Sequence, residues 1–369
     1  MPAEANVYGK EFVLCDAGMQ PVALQGLTPQ ALTALLPGST LSEARKVMSA
    51  LHRGKSWRGP LNQVRRVTLD QLRATCHVPS LEVVDERRSA LDPFVKLALR
   101  THDGCVIETV RIPLERPGRF SVCVSSQAGC ALACRFCATG QLGLERNLEA
   151  WEIVEQVRLV HGTVLRDAPG ARVHGVVFQG MGEPLANVER VLQAIEVLSE
   201  SSGLAIDARN ITVCTAGLPS GIRRLAREAP KVRLGLSVHA IDTTTRRSLM
   251  PIDKTHALDD VLDAAVEHAQ LTGLAPLWAV TLFAGVNDGD EHARALAQRA
   301  QDFAARSGKR PRLSIIPYNQ IPGAPFSRSP RDKEFRAMLS ELGSPSHLRY
   351  SGGSDVDAAC GQLAGRVTI

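Results

Sequence analysis

Residues 123–140 read CVSSQAGCALACRFCATG, and the rest of the chain is arranged around them. Cys130, Cys134 and Cys137 form a C-x3-C-x2-C triplet, with Phe136 just before the last cysteine. Thiolates this close on one loop can hold a soft-metal cluster, and an iron–sulfur cube takes such ligands. A four-iron cube held by three cysteines leaves one iron without a protein ligand, and an open metal position is where chemistry occurs. A structural zinc knuckle usually takes four protein ligands, often from two pairs, and no second C-x2-C or Cys/His pair follows. Buried unreactive cysteines need no particular spacing. The spacing points to a [4Fe-4S] cluster with Cys130, Cys134 and Cys137 as its protein ligands.

Downstream of this loop, strand and helix patterns alternate. Strands are expected at Val173 to Phe178, Ile211 to Cys214, Val232 to Val238, Leu277 to Phe283 and Leu313 to Ile316. Helices are expected at Ala150 to His161, Val188 to Ser199, Leu218 to Arg227, Ala257 to Gln270, Glu291 to Ala304 and Pro330 to Leu342. Such repetition implies a parallel sheet with helices outside and right-handed crossovers. About six repeats predict an α/β fold, a partial (β/α)6 barrel with ligand sites at the strand C-terminal ends.

Upstream, PFVKLALRT, CVIETVRIP and FSVCVSS read as short strands. Glu108 lies in the middle one with Val106 and Val110 two residues either side, a pattern usual for a solvent face. Residues 1–90 read as a helical module. Thr28-Pro29 starts one helix, Ser42 to Leu51 covers a second, and Thr68 to Gln71 has the form of a capping box opening a third. Between Arg45 and Arg66 lie Lys46, Arg53, Lys55, Arg58 and Arg65, with Trp57 among them and no acid. Such a patch either follows a phosphate backbone or forms a solvated face around one packed Trp. The barrel then spans 91–345, and 346–369 form a tail whose glycine-rich SGGSDVDAACGQLAG predicts a mobile loop carrying Cys360.

With 369 residues, the chain suffices for one large domain with a smaller appendage. Its 44% hydrophobic content argues against a disordered chain. No apolar run reaches membrane-spanning length, and MPAEANVYGKEF lacks a signal-peptide core. The cluster needs reduced thiols, so a reducing cytoplasm is the expected location and no membrane partner is expected.

Further motifs fall at strand ends. Gly180-Met181-Gly182-Glu183-Pro184-Leu185 follows a buried strand, with glycines for close backbone approach and Glu183 to accept from an ammonium group. Cys214, Ser237, Val238, His239 and Asn319 end other strands. The triplet followed by GMGEP resembles the radical S-adenosylmethionine (SAM) enzymes, in which the open iron chelates SAM and this turn holds its amino group. The segments CVSSQAGCALACRFCATG, RNL, GMGEPLAN, SLMPID, GVND, IIPYN, PGAP and DVDAACGQLAG closely resemble the RlmN/Cfr family of RNA methyltransferases. The resemblance runs over nearly the whole chain from about residue 40.

It implies methylation of an adenosine carbon in 23S ribosomal RNA, most like RlmN at carbon 2, with a tRNA adenosine as a second substrate of that branch. It also implies these roles. One SAM methylates Cys360, and the radical from a second SAM takes hydrogen from that S-methyl. The methylene adds to adenine, Glu108 accepts a proton, and Cys123 attacks Cys360 to form a disulfide and release product. Gly182, Glu183, Cys214, Ser237, Val238, His239 and Asn319 would contact SAM. An electron donor such as flavodoxin or ferredoxin is implied, and a monomer is expected. Cys214 departs from a common serine, Ala279 from a common glutamate and Gln179 from a common methionine, while Cys15, Cys76 and Cys105 match no role. Rival readings are a Cfr-type carbon-8 enzyme, an inactive RNA-binding relative, and a protein-acting activase that would not need Cys360.

Overall fold

A computed structural model describes residues 21–365 apart from 55, 56 and 58. Cys15, Lys55 and Arg58 lie outside the described residues. A ten-stranded sheet organises the chain, and its strands neighbour one another in sequence order. β1 (Glu82–Arg88), β2 (Val95–Arg100), β3 (Val106–Pro113) and β4 (Arg119–Val124) pair antiparallel. From β4 onward every pairing is parallel. The strands are β5 (Arg172–Phe178), β6 (Ile211–Thr215), β7 (Arg233–Ser237), β8 (Leu277–Leu282), β9 (Arg312–Pro317) and β10 (Ser346–Leu348). Parallel neighbours need crossover connections, and helices at every expected position supply them.

Side-chain alternation sorts bulk from hollow. Ile211, Val213, Trp278, Val280, Leu313 and Ile315 bury against the outer helices. The opposite face carries small residues, among them Cys214, Gly235, Ala279 and Ser314. A complete (β/α)8 barrel fills its interior with branched side chains; here the small ones leave room for a site.

The helix expected to end at His161 runs to Asp167, because Val160 and Val164 continue one buried face past Gly162. β1, read with the helical module, instead forms the edge of the main sheet. In that module Thr28 caps Pro29–Leu35, and Thr40 with Glu43 forms a capping box on Leu41–His52. The expected box at Thr68 does not form. Its helix starts earlier, at Arg66, and Thr68 Oγ1 donates to Glu43 at 3.0 Å. The Arg65 guanidinium on Glu43 holds that buried carboxyl far below the usual range. Trp57 packs in the module core with Leu32, Val47 and Leu72, so it is not a stacking surface. The module docks on the barrel through Gln193 Nε2 to Gly26 O at 2.8 Å and Arg158 to Leu51 O at 3.2 Å. Among the described residues no helix is long and apolar enough to cross a membrane.

Candidate active site

The strand C-terminal ends surround a cavity of about 920 Å³, counted out to its mouth. Cys130, Cys134 and Cys137 line it together with Gly182, Glu183, Cys214, Ser237, His239, Asn319 and Cys360. Cys130 closes a hairpin, Gln127–Cys130 against Gly143–Asn147, that has no alternating pattern to reveal it. Beyond it, Arg135 N–H donates to Leu249 O at 3.0 Å, and the Phe136 ring packs 4.6 Å from His239 and 5.3 Å from Phe283. Three thiols lining one cavity suit a polynuclear cluster, where each corner metal takes one thiolate. Burial pushes the Cys130 thiol up to about 11 and raises Cys134 and Cys137 too. A bound metal offsets this, because it deprotonates the thiol it ligates. The donor set fits an iron–sulfur cube.

Glu183 is buried on the cavity wall. Its Oε1 accepts from Leu185 N–H at 2.9 Å and its Oε2 from Ala216 N–H at 2.8 Å, while burial raises its pKa. A carboxylate has about four lone-pair sites, so capacity remains for an ammonium. Gly182 sets this turn. It sits at φ +95°, and a Cβ there would lie 2.5 Å from Gln127 Cβ. Gln127 Oε1 accepts from Glu183 N–H at 2.8 Å, and its Nε2 donates to Asn147 at 2.7 Å. Gly182→Ala is therefore expected to cost about 1–3 kcal/mol and to weaken SAM binding to the cluster-loaded protein. Denaturant melts and equilibrium dialysis check this; wild-type values in both would refute the tight fit.

His239 has φ +56°, accepts from Thr281 N–H on Nδ1 at 3.1 Å, and is kept neutral by burial, with a pKa near about 3. The Val238 side chain does not reach the cavity. Alternation turns it into the core between Ser237 and His239, which line the site. The Cys214 thiol is pushed by burial up to about 12, with Sγ 3.8 Å from Gln179 Oε1. Sequence reading missed Arg246. Fully buried, it pairs with Asp253 at 3.1 Å and donates to Ser237 O and Ala216 O at 3.0 Å each, and to Val238 O. Only its place just before SLMPID hinted at this.

The tail, expected as a mobile loop, is docked. Asn319 Nδ2 donates to Cys360 O at 3.0 Å, Ala138 N–H to Gly361 O at 2.8 Å and Thr139 Oγ1 to Leu363 O at 2.6 Å. Glu108 anchors the end of this segment and is 1% exposed, not on a solvent face. Its Oε1 lies 2.9 Å from Lys96 Nζ, and its Oε2 accepts from Ala364 N–H at 2.7 Å and Gly365 N–H at 3.2 Å. Glu108 thus borders a separate cleft behind the tail, not the main cavity. Cys123, on β4, also lies off the cavity lining. Desolvation pushes its thiol far up, the neighbouring Cys360 sulfur adds to that, and Arg349 opposes it.

The radical SAM superfamily matches residues 124–297. A probable RNA methyltransferase of Sorangium cellulosum is 58% identical over 349 residues, covering 89% of this chain and 88% of the relative. A probable dual-specificity RNA methyltransferase RlmN of Moorella thermoacetica is 36% identical over 350 residues, covering 93% and 97%. The crystal structure of a radical SAM methyltransferase from Sphaerobacter thermophilus superposes with a TM-score of 0.83 at 35% identity, covering 94% of this chain and 100% of that one. With the cysteine triplet, the GMGEP turn and the tail cysteine in one cavity, and relatives matched along almost their whole length, the chain belongs to the RlmN/Cfr family of radical SAM RNA methyltransferases, whose cofactors are a [4Fe-4S] cluster and SAM.

Proposed function

We propose that the chain methylates carbon 2 of an adenosine in 23S ribosomal RNA, with a tRNA adenosine as a second substrate, through an S-methylated Cys360. The observation that carries this is Cys360 lining the same cavity as Cys130, Cys134 and Cys137. Cys130, Cys134 and Cys137 would hold the cluster; Gly182, Glu183, Cys214, Ser237, His239 and Asn319 would surround SAM, with Val238 contributing through its backbone alone. Together these cofactors supply the methyl group and the one-electron chemistry that an electron-poor adenine carbon requires.

The chain's residues do the rest. Cys360 presents a sulfur-bound one-carbon unit, which becomes bonded to the adenine carbon. Glu108 takes the proton that carbon loses. The Ala364 and Gly365 amides occupy its Oε2 and Lys96 contacts its Oε1, so a movement of the tail would open Oε2 to that proton. Cys123, as thiolate, then attacks the Cys360 sulfur. A disulfide forms, the carbon–sulfur bond to the product breaks, and its electron pair with a proton completes the new methyl group. Exposed Arg45, Arg53 and Arg66 on the helical module would follow the RNA backbone, and the reductant would be a flavodoxin or ferredoxin.

Nucleoside mass spectrometry tests the reading, on unmodified ribosomal RNA treated anaerobically with reconstituted protein, SAM and reductant. 2-Methyladenosine is expected. 8-Methyladenosine would move the chain to the Cfr branch, and no methylated adenosine despite SAM cleavage would sink both.

A further inference from the structure

A second cleft opens beside the reactive cavity. It measures about 1020 Å³ counted out to its mouth and shares Pro317, Tyr318 and Asn319 with the cavity wall. Arg328, Arg349, Tyr350 and the tail residue Gln362 complete its sides, and no Asp or Glu lines it. One buried polar atom on this wall, Arg349 Nη1, has no hydrogen-bond partner, whereas the Tyr318 hydroxyl meets the Ile321 backbone. A buried guanidinium N–H without a partner at a cleft is poised for a ligand.

The mouth has a different character. Tyr350 is 70% exposed, yet its hydroxyl donates to Asp92 Oδ2 at 2.8 Å, which fixes the ring in place. The Arg328 side chain is 61% exposed and comes no nearer than 4.0 Å to Asp332. A fixed aromatic face, an extended arginine and side-chain amides are what an unstacked nucleotide needs for its base face, phosphate and base edge.

We propose that this cleft admits one unstacked adenosine nucleotide of the RNA, with Tyr350 stacking on a base, Arg328 on a phosphate, and Arg349 meeting the base edge. The assignment rests on the reading of RNA as substrate. The wall shared at Pro317–Asn319 then sets the base beside the tail that carries Cys360, whose carbonyl Asn319 holds.

Filter binding of an unmodified 23S ribosomal RNA fragment tests it, with melting curves as the check on folding. Tyr350→Ala is expected to weaken binding between about fivefold and a hundredfold, the loss of one base–aromatic stack, and Tyr350→Phe, which loses only the Asp92 hydrogen bond, to weaken it less. Arg328→Ser is expected to flatten the salt dependence by about 0.7 log units per decade. Ser354→Trp, a bulky plug at the exposed rim, is expected to block RNA methylation. Either wild-type binding by Tyr350→Ala or undiminished methylation by Ser354→Trp would overturn the assignment while leaving RNA as substrate. A wild-type protein that binds and methylates no RNA would overturn both.

Discussion

A Cys360→Ala variant is expected to lose RNA methylation by at least about a thousandfold, as removal of a covalent catalyst's nucleophile does, while still cleaving SAM reductively. The cluster loop does not depend on that sulfur. Its backbone is held by Leu249 O and by the Phe136 packing, and Glu183 and Gly182 are fixed from Gln127 and Ala216. Cys123→Ala is expected to fail later. The one-carbon unit still joins adenine, but no second thiol attacks Cys360, so protein and RNA stay covalently joined. A ribonuclease-sensitive shift of the protein on a denaturing gel reads this directly. Activity retained by Cys360→Ala would exclude the S-methyl route, and a Cys123→Ala protein that turns over normally would remove Cys123 from the mechanism. The nearby Cys214 is a third thiol at this end of the barrel, so the double variant Cys123→Ala, Cys214→Ala shows whether it substitutes for Cys123.

What the sequence discloses here is local. The cysteine spacing and the GMGEP turn are patterns within a dozen residues, the strand–helix alternation is built of short segments each with its own periodicity, and each stands where its pattern predicts. The hidden features are long-range and polar. β1, EVVDERR, reads as surface because one edge strand stays half-exposed, and its pairing with β2 has no local signal. Glu108 has the alternation of a solvent-facing residue, yet Lys96 two strand positions from its direct partner Ala98 and the tail amides bury it. The tail's glycines suggested mobility; they also let backbone come close, as at Gly365, where a Cβ would lie 2.5 Å from Val106 O. Val238 falls in the LSVHA motif by position, and strand alternation turns its side chain to the core.

Arg246 and Asp253 carry the largest structural prediction. TTTRRSLMPID has the polarity of a solvated helix, but Arg246 and Asp253 are 1% and 2% exposed. Asp253→Ala leaves a guanidinium buried without its counter-charge, a loss of about 3–5 kcal/mol, and at about 2 °C per kcal/mol for a large domain the melting midpoint should fall by roughly 6–10 °C. The residue does more than form an ion pair, because Arg246 also satisfies Ser237 O, Val238 O and Ala216 O at the turns beside the cavity. Those carbonyls lose their donor if the arginine goes, at about 1–3 kcal/mol for each buried group left unpaired. The double variant Arg246→Met, Asp253→Leu removes both charges and should therefore stay destabilised rather than recover, and SAM affinity should fall with it. Recovery of wild-type melting in the double variant would mean that the pair is a simple buried salt bridge. Asp253 also pairs with Arg247 at 3.1 Å, so a persistent loss larger than that of Arg247→Met would mean that one arginine, through three backbone carbonyls, holds the strand ends on which the cofactor site is built.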